Sequence, residues 1–587
     1  MMVEARGGSA WHQIPQSNRK GNDMKNYQDG GEAIVEAFRN LGIKYVISSP
    51  GSEWSPVWEA LARQKHEKNH GPDYIQCWHE ALAVAMATGY TWITGQAQAV
   101  LVHAGVGLLQ GAMGIRCAMQ AEVPMLVMSG ESITLGADPG LDIEPQWYGG
   151  VSPGGADKLV APFVKWASHV PSAPTLYQCV IRAGEMAQRA PQGPIYLDVP
   201  LEHMLEDWEP AGALRPVPPA PRTQAALAEL EALAADIAAS KNPVIVTDHS
   251  GRDAAAFPAL VAFAEAAAIP VIGGRGTSYA NFPTDHELWQ GIDAYGHLAD
   301  ADLVILVGGR TPWYPPKQRP SPGRIVAIGD HPHKEWLIYQ DLHADAYLEG
   351  DIAATLAALT PMLQAGIDAN AKAARRAKWA GESAKAMNAL QGERDAAAAE
   401  GGLGPASIAA AMHAVMPAET IYVDETITHF PPLRKHLPMT APQTLFRHTG
   451  GALGQGLGLA LGVKLAAPER PVVLFIGDGG LLYNPVLPAF GASREHNLPI
   501  IVVVMNNGHY KAMRQGHVHH YPDGMVAATE LTMGIEIQGP DYEQLGSHFG
   551  ISGVRAETYG AFKAALENSL QETSGGATVI INAILPD

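Results

Sequence analysis

The chain of 587 residues is acidic, with a formal net charge of -19, and hydrophobic residues make up 47% of it. This composition excludes a disordered chain, and the length predicts about three folded domains. The acidic balance argues against nucleic acid and an anionic membrane surface as partners, because both are bound through concentrated basic faces.

Three scattered cysteines, Cys77, Cys117 and Cys179, show no metal-binding spacing. They argue against a disulfide framework and are typical of buried thiols in a reducing compartment, which predicts a cytoplasmic protein. No apolar run reaches the roughly 18 residues that a membrane helix needs. The first 25 residues are polar and lack the apolar stretch of a signal peptide, so we expect a flexible tail over 1–25.

Alternating helices and strands then predict a first parallel α/β domain over residues 26–205. Apolar residues at helical spacing indicate a helix that is closed by Gly42, and an alanine-rich helix follows His79-Glu80 and ends near Gly89. Polar or glycine-rich loops follow the predicted strands 44–48, 98–103, 123–128 and 194–199. The segment that begins at Tyr74 is a further predicted strand, which leads into the alanine-rich helix.

A proline-rich linker over 206–222 leads into a second α/β unit over 223–362. The strands predicted in this central unit are 243–247, 270–272, 303–307 and 324–328. Residues 363–401 are rich in Ala, Lys, Arg and Glu, which predicts a solvated helical connector. The third unit covers 402–587 and ends with a strand over 577–584. The fold class is therefore α/β, with three parallel-sheet domains.

Polar turns end two buried strands of the third unit. The apolar run 471–476 stops at Gly477-Asp478-Gly479-Gly480, and the run 498–505 stops at Asn506-Asn507-Gly508. Parallel strands place their carboxyl ends at one edge of the sheet, where an Asp and an Asn supply oxygen ligands for Mg²⁺ and free N–H groups suit a phosphate. Each motif alone is equally typical of an ordinary turn, whereas the pair is far more specific.

With this spacing, nearly the whole chain past its tail resembles the thiamine diphosphate-dependent enzymes of the 2-oxo acid decarboxylase and acetohydroxyacid synthase superfamily. The resemblance implies a pyrimidine-binding, a central and a diphosphate-binding domain. It also implies that Asp478, Asn507 and the main-chain carbonyl of His509 bind Mg²⁺. The other residues matched to cofactor contacts are Thr426, Thr428, Gly451, Leu453, Gly477, Gly479, Gly480 and Tyr510. Leu453 would support the bent cofactor, and simple core packing is its alternative role.

Glu80 is the most consequential match. The family places a glutamate against the pyrimidine nitrogen N1′ at a helix start, and His79-Glu80 occupies that position, so both are candidate catalytic residues. A carboxyl group that shares a proton with N1′ favours the imino tautomer of the cofactor, which activates the thiazolium carbon C2. Without the resemblance, a Glu at a helix N-terminus is more commonly only dipole-stabilising.

Other stretches resemble benzoylformate decarboxylases most. Pro50-Gly51-Ser52 resembles their substrate-binding loop, with Ser52 on the active-site serine. His103 lies as far beyond Glu80 as their proton-transferring histidine lies beyond its glutamate. The Gly105-Val106-Gly107 that follows is closer to acetohydroxyacid synthases, which leaves a purely structural role for His103 open.

Two further features have alternative interpretations. No second cluster completes a zinc site with His517, His519 and His520, so we expect this segment, with His509, to line the substrate mouth. Gly309-Arg310 resembles the position where synthases contact FAD and where oxalyl-CoA decarboxylases bind a nucleotide. Glycine-rich strand ends with one arginine are also common in empty α/β domains, so a bound FAD or ADP moiety is the less favoured prediction.

The resemblance implies decarboxylation of a 2-oxo acid, with or without ligation of the product to a second carbonyl. The alternatives are an acetolactate synthase-like carboligase, a lyase of 2-hydroxyacyl-CoA or diketones, and a non-catalytic cofactor-binding scaffold. A scaffold needs no proton relay, so the joint presence of Glu80, Asp478 and Asn507 argues against it. The family geometry places each active site between two chains, which implies a homodimer or homotetramer.

Overall fold

The computed structural model describes residues 28–131, 149–151, 154–274, 276–293, 295–310, 313, 323–338, 340, 342–447 and 450–586. These residues form three sheets in which all paired strands are parallel, and helices flank each sheet. The predicted α/β fold class is confirmed. The predicted tail over 1–25 lies outside the described residues.

The first sheet has six strands and contains the five that were predicted for it. The four strands whose bounds were predicted differ from the observed strands by up to three residues at their ends. The strands are β1 (Tyr45–Ser49), β2 (Asp73–Gln76), β3 (Gln98–Val102), β4 (Met125–Glu131), β5 (Trp166–His169) and β6 (Pro194–Pro200). Their order across the sheet is β2-β1-β3-β4-β6-β5. The helices are α1 (Gly30–Asn40), α2 (Ser55–Glu67), α3 (Glu80–Thr94), α4 (Gly105–Gln120), α5 (Ala156–Val160), α6 (Ala173–Gln188) and α7 (Leu201–Leu205).

The prediction that the alanine-rich helix ends near Gly89 is wrong, because α3 continues to Thr94. At Gly89 the neighbouring helix comes so close that a Cβ atom would lie 2.1 Å from the carbonyl oxygen of Leu459. Beyond that point Tyr90 and Trp92 are buried and extend the apolar face of the helix. The glycine therefore marks a close contact between helices, which sequence alone does not distinguish from a helix end.

The central sheet has five strands in the order β11-β10-β9-β7-β8. They are β7 (Pro243–Thr247), β8 (Val271–Gly273), β9 (Leu303–Val307), β10 (Arg324–Gly329) and β11 (Ala346–Glu349). The helices are α8 (Leu227–Ala239), α9 (Ala256–Ala267), α10 (Tyr295–Leu298) and α11 (Ile352–Gly366), followed by α12 (Ala369–Glu400). The predicted helical connector is largely α12, in which only Trp379 and Ser383 are buried.

The third sheet has six strands in the order β13-β12-β14-β15-β17-β16. They are β12 (Ile421–Glu425), β13 (Leu445–Arg447), β14 (Val472–Gly477), β15 (Ile501–Asn506), β16 (Ser552–Ala556) and β17 (Val579–Ile584). The helices are α13 (Pro405–Val415), α14 (Phe430–His436), α15 (Gly456–Ala466), α16 (Asp478–Tyr483), α17 (Val486–Glu495), α18 (Lys511–His520), α19 (Met525–Thr529) and α20 (Tyr559–Ser574).

One hydrophobic core joins the first and third domains. It combines the buried face of α3, including Leu82 and Met86, with that of α15, including Leu457 and Leu461. Cys77 and Cys117 are buried, Cys179 is half-buried rather than buried as predicted, and all three are free thiols. No helix of the described residues combines the length and the apolar character needed to cross a membrane.

Candidate active site

Asp478 lies at the carboxyl edge of the third sheet, where β14 ends at Gly477 and α16 begins. Its Oδ1 accepts the Gly479 N–H at 2.8 Å, and its Oδ2 accepts the Gly508 N–H at 2.7 Å. Burial raises the pKa of Asp478, and these hydrogen bonds oppose that shift. The two polar turns predicted from the sequence therefore meet at one carboxylate, because β14 and β15 are neighbours in the sheet.

Asn507 brings a second polar side chain to the same turn. Its Nδ2 atom is buried and has no hydrogen-bond partner among the described residues. The side chain of the adjacent Asn506 has hydrogen-bond partners: its Oδ1 accepts the Gly508 N–H and its Nδ2 donates to Asn582. His509 places Nδ1 at 2.7 Å from the carbonyl oxygen of Asn507. An orphaned buried amide beside a buried carboxylate fits a site that a ligand rich in oxygen atoms completes.

Close contacts explain the small residues around Asp478. A Cβ atom on Gly479 would lie 2.3 Å from Cε1 of Tyr510, so the tyrosine ring packs directly on that glycine. A Cβ atom on Gly480 would lie 3.9 Å from Cδ2 of Leu453. The structure thus brings the loop that contains Leu453 to the turn after β14. In the same loop Gly451 has a φ of 68°, a conformation that favours glycine.

The two threonines predicted to lie near a diphosphate differ in their surroundings. Thr426 is buried, and its hydroxyl donates to Oδ1 of Asp424 at 2.7 Å. Thr428 is half-buried in the turn before α14. The sequence analysis did not single out His429, yet its Nε2 atom is buried without a partner among the described residues. Burial and the charge of Lys511 lower the pKa of His429, so a neutral imidazole nitrogen is available here.

Glu80 is the first residue of α3, and His79 is its N-cap. The Nδ1 atom of His79 accepts the Ala81 N–H at 3.1 Å, which gives this predicted catalytic residue a structural hydrogen bond. The Glu80 carboxylate lies beside the start of α4. A Cβ atom on Gly107 would be 2.8 Å from Oε1 of Glu80 and 2.9 Å from Cβ of His103. Any larger residue at 107 would therefore fill the space between the two predicted catalytic groups.

A buried glutamate that the sequence analysis missed holds His103. Glu53 is only 1% exposed, and both of its carboxylate oxygens lie 3.0 Å from Nδ1 of His103. Oε1 of Glu53 also accepts the Ala104 N–H at 2.8 Å. The hydrogen bond that His103 donates to Glu53 raises the pKa of His103, burial opposes the shift, and the charge of Glu80 adds to it. The imidazole remains 31% exposed, so part of the ring is accessible from the opposite side.

Ser52 begins the short 3-10 turn Ser52–Trp54 and is exposed. The loop before it passes directly over the imidazole, because a Cβ atom on Gly51 would lie 1.8 Å from Nδ1 of His103. The indole of Trp54 anchors the turn by donating to the carbonyl of Val102 at 2.8 Å. The structure therefore brings the loop of Ser52, His103 and Glu80 to the carboxyl edge of the first sheet.

The histidines of α18 are exposed and contact aromatic neighbours. His517 packs against Tyr521, and His519 packs against His520. Among the described residues, the one group close enough together to hold a metal ion is elsewhere, at Glu131, His169 and Asp198. The histidines of α18 are not part of that group.

Arg310 follows β9 and lines a small cavity of about 30 Å³ at the carboxyl edge of the central sheet. The basic side chains there already have carboxylate partners. Glu122, from the turn after α4, bonds Arg252 at 2.5 Å and also bonds Lys334. Arg252 bonds Asp330 at 2.9 Å, and Arg310 lies 3.9 Å from Glu122. Three Arg or Lys side chains and two Asp or Glu side chains line this cavity, and Nη2 of Arg310 is buried without a hydrogen-bond partner among the described residues.

Comparison with known proteins agrees with this geometry. Three domain models match the chain: "Thiamine pyrophosphate enzyme, N-terminal TPP binding domain" over 28–144, the central domain of the same enzymes over 230–359, and "Thiamine pyrophosphate enzyme, C-terminal TPP binding domain" over 429–582. A benzoylformate decarboxylase of Pseudomonas aeruginosa is 27% identical, with 92% of this chain and 96% of that protein aligned. A probable 2-ketoarginine decarboxylase of the same species is 28% identical over 89% of this chain and 88% of that protein.

Among solved structures, the 4-hydroxybenzoylformate decarboxylase of Rhodococcus jostii superposes with a TM-score of 0.76. The alignment covers 95% of this chain and 99% of that one at 22% sequence identity. At this identity the superposition establishes a common fold, with the same arrangement of three α/β domains along the chain.

Proposed function

Because the chain belongs to the thiamine pyrophosphate enzyme family, we propose that it decarboxylates a 2-oxo acid with thiamine diphosphate and Mg²⁺ as cofactors. The observation that carries this proposal is the meeting of Glu80 and His103 across the space that Gly107 leaves open. Two of the relatives reported above are named as decarboxylases, which supports the same reaction class.

The turns at the edge of the third sheet would hold the diphosphate end of the cofactor. Asp478, the Asn507 side chain and the carbonyl of His509 would bind Mg²⁺, and the N–H groups that follow Gly477 would face phosphate oxygens. The Nδ2 atom of Asn507, which is buried without a hydrogen-bond partner among the described residues, would donate to a phosphate oxygen. When bound, thiamine diphosphate supplies a carbon that adds to the carbonyl of a 2-oxo acid and accepts the electron pair left by departing carbon dioxide.

The residues of the first domain would handle the protons. The Glu80 carboxyl would exchange a proton with the aminopyrimidine nitrogen N1′. Glu53 accepts the hydrogen bond of His103 Nδ1, which orients the ring and leaves Nε2 to deliver a proton to the product. Ser52, at the exposed end of the adjoining turn, would bind the substrate carboxylate.

The geometry supports an active site that two chains share. Gly450 lies near the end of α4, with its carbonyl 3.1 Å from Nη1 of Arg116 and its Cβ position 3.3 Å from Sγ of Cys117. Glu80 meets α4 near its start, at Gly107, which is about 15 Å from Cys117 along the helix. The resemblance to the family implies that Glu80 and Gly451 contact the same pyrimidine ring. We therefore propose that Glu80 of one copy completes the site of another, in a homodimer or homotetramer.

A second copy also fits the exposed surface of α4. Val106, Leu109 and Met113 are 40%, 56% and 49% exposed, and their spacing places them on one side of the helix. This apolar stripe begins beside His103 and Glu80. Burying it against the same stripe of a second copy would close the site from water.

A product screen tests the reaction. The purified protein, with thiamine diphosphate and Mg²⁺, is incubated with pyruvate, benzoylformate, 2-ketoarginine and branched 2-oxo acids, and products are detected by mass spectrometry. We expect carbon dioxide and the matching aldehyde. A hydroxyketone as the main product would identify a carboligase instead, and the absence of any product from every 2-oxo acid would contradict the proposal.

Replacement of Glu80 tests the proton-handling role. Glu80→Gln keeps the size of the side chain but removes its exchangeable proton, so we expect kcat to fall by about 10²- to 10⁴-fold. Glu59→Gln, at an exposed position on α2, is the matched control and should retain full activity. Circular dichroism should show the same fold for both variants. Wild-type turnover in Glu80→Gln would remove Glu80 from the mechanism.

A further inference from the structure

We propose that Glu425 and Asn484 form a positioning pair that fixes the two halves of the cofactor cradle to each other. One half is the loop of Leu453, which leads into α15, and the other is the turn of Asp478, which begins α16. The inference rests on the proposed binding of thiamine diphosphate at this edge of the sheet. Neither residue of the pair is matched to a cofactor contact.

Glu425 is the last residue of β12 and is 4% exposed. Its Oε1 atom accepts the N–H of Gln455 at 2.7 Å. Its Oε2 atom accepts Nδ2 of Asn484 at 2.8 Å and lies 2.8 Å from the Cβ position of Gly456. Both oxygens are therefore used, one by the segment that opens α15 and one by the segment that closes α16.

Asn484 completes the link with its remaining atoms. Its Oδ1 accepts the N–H of Leu457 at 3.0 Å, and Nδ2 also donates to the carbonyl of Gly480 at 2.9 Å. The amide is 7% exposed, so all its hydrogen bonds are made inside the protein. A single buried amide thus ties the first turn of α15 to the first turn of α16.

The link has the properties of a positioning device. Among the described residues, no ion pair involves Glu425, so this carboxylate is buried against neutral hydrogen-bond donors alone. Burial raises the pKa of Glu425 to about 7, and the donors of Asn484 and Gln455 oppose the shift. Burying the Glu425 carboxylate costs free energy. In return, its two oxygens bond donors on two different segments, which fixes the distance between those segments. The separation it defines is that between Leu453, at the pyrimidine side, and Asp478, at the diphosphate side.

Glu425→Gln is the first test. The amide group of the new side chain must turn its NH₂ toward the N–H of Gln455 or toward Nδ2 of Asn484, so a pair of donors faces each other. We expect the Kd for thiamine diphosphate, measured by calorimetry at saturating Mg²⁺, to rise about tenfold, because one hydrogen bond that holds the cradle is replaced by two donors that face each other. Asn484→Asp sets two carboxylates against each other and should weaken binding similarly.

The double variant Glu425→Gln with Asn484→Asp supplies the decisive result. The amide donor introduced at position 425 would then meet an acceptor on the replaced side chain at position 484, so the link forms again with its polarity reversed. We expect the Kd to fall below that of either single variant but to stay above the wild-type value, because the side chain introduced at position 484 cannot donate to the carbonyl of Gly480. Asn281→Asp, at a buried amide of the central domain, is the control and should lower the melting temperature without changing the Kd.

The outcomes separate this inference from the proposed function. Tight cofactor binding by Glu425→Gln, or a double variant that binds no better than the single variants, would overturn the positioning role. If the wild-type protein itself failed to bind thiamine diphosphate, the proposed function would fall first. Because the readout is binding, the result does not depend on which 2-oxo acid is the substrate.

Discussion

At the scale of single residues, Glu53 decides what His103 can do. The carboxylate is buried behind the imidazole, and its hydrogen bond is the main cause that raises the pKa of His103. A histidine with a raised pKa keeps its proton to a higher pH than the usual value of about 6.5 allows. A proton-donating role therefore persists as pH rises and is lost when pH passes the raised pKa.

Glu53→Gln should make His103 lose its proton-donating role at a lower pH. The variant removes the negative charge beside the imidazole, so the pKa of His103 falls and the alkaline limb of kcat/KM shifts in the acid direction. The measurement is the pH profile of kcat/KM for the substrate identified by the product screen. Glu59→Gln serves as the control that leaves the profile unchanged. An alkaline limb that stays in place in Glu53→Gln would show that His103 does not set it.

Ser52, His103 and Glu80 were predicted from the sequence, whereas Glu53 was not, and this difference has a physical cause. The contact joins residues 50 positions apart, and nothing in the segment 52–54 distinguishes a buried glutamate from an exposed one. His429 was missed for the same reason, since its orphaned nitrogen becomes visible only when its surroundings are assembled. The proximity of Asp478 and Asn507 was predictable because each lies two residues beyond the end of a buried apolar run.

At the scale of elements, the contact between α3 and α15 depends on glycine. A Cβ atom on Gly89 would lie 2.1 Å from the carbonyl oxygen of Leu459, and one on Gly462 would lie 2.0 Å from that of Met86. These atoms belong to the backbone, so a larger residue must push the helices apart. Glu80 begins α3, and the loop of Leu453 leads into α15, so this contact fixes both groups relative to each other within one chain. In the shared arrangement proposed above, these two groups belong to two different sites.

Gly89→Ala should lower the stability of the protein by about 1–3 kcal/mol, since overpacking outweighs the better helix propensity of alanine. Gly392→Ala is the matched control, because Gly392 lies inside α12 with no atom within 4 Å of its Cβ position. There alanine should stabilise the helix slightly. Thermal unfolding followed by circular dichroism measures both. Equal melting temperatures for the two variants would contradict the role assigned to Gly89.

The strands that the sequence predicted are mainly those inside the sheets, where both faces are buried and the apolar run is continuous. Most of the unpredicted strands lie at sheet edges, are short and are partly exposed, namely β5, β11, β13 and β16. The central strand β12 is the exception. It ends in Asp424 and Glu425, and these buried acids interrupt the apolar pattern.

At the scale of the whole molecule, Glu122 joins the first domain to the central one. Burial alone would raise the pKa of this carboxyl, but the charges of Arg252, Arg310 and Lys334 outweigh it and lower the pKa to about 2. A depressed carboxyl pKa stabilises the fold above the unfolded-state value of about 4.3. That contribution disappears as pH falls from there toward 2.

Glu122→Gln should therefore destabilise the protein most at neutral pH, by about 3 kcal/mol. The melting temperatures of wild type and variant should converge as pH falls from about 4.3 toward 2, where the carboxyl of the folded wild-type protein also becomes neutral. Glu59→Gln, which alters an exposed carboxylate, should follow the wild type at every pH. A difference between wild type and Glu122→Gln that stays constant from pH 7 to pH 3 would show that charge pairing is not the source.

Subunit mixing tests whether two chains share each active site. Glu80→Gln and Asp478→Asn proteins should each be inactive alone, because each lacks one half of the site. In a mixed dimer, one site carries both substitutions and the other carries neither. Since half of the dimers formed by random co-expression are mixed, about a quarter of the wild-type activity should return. If each site were built within one chain, no mixture of the two variants would contain an intact site. Activity that stayed at the level of the separate variants would therefore exclude shared sites and place Glu80 beside the Asp478 of its own chain.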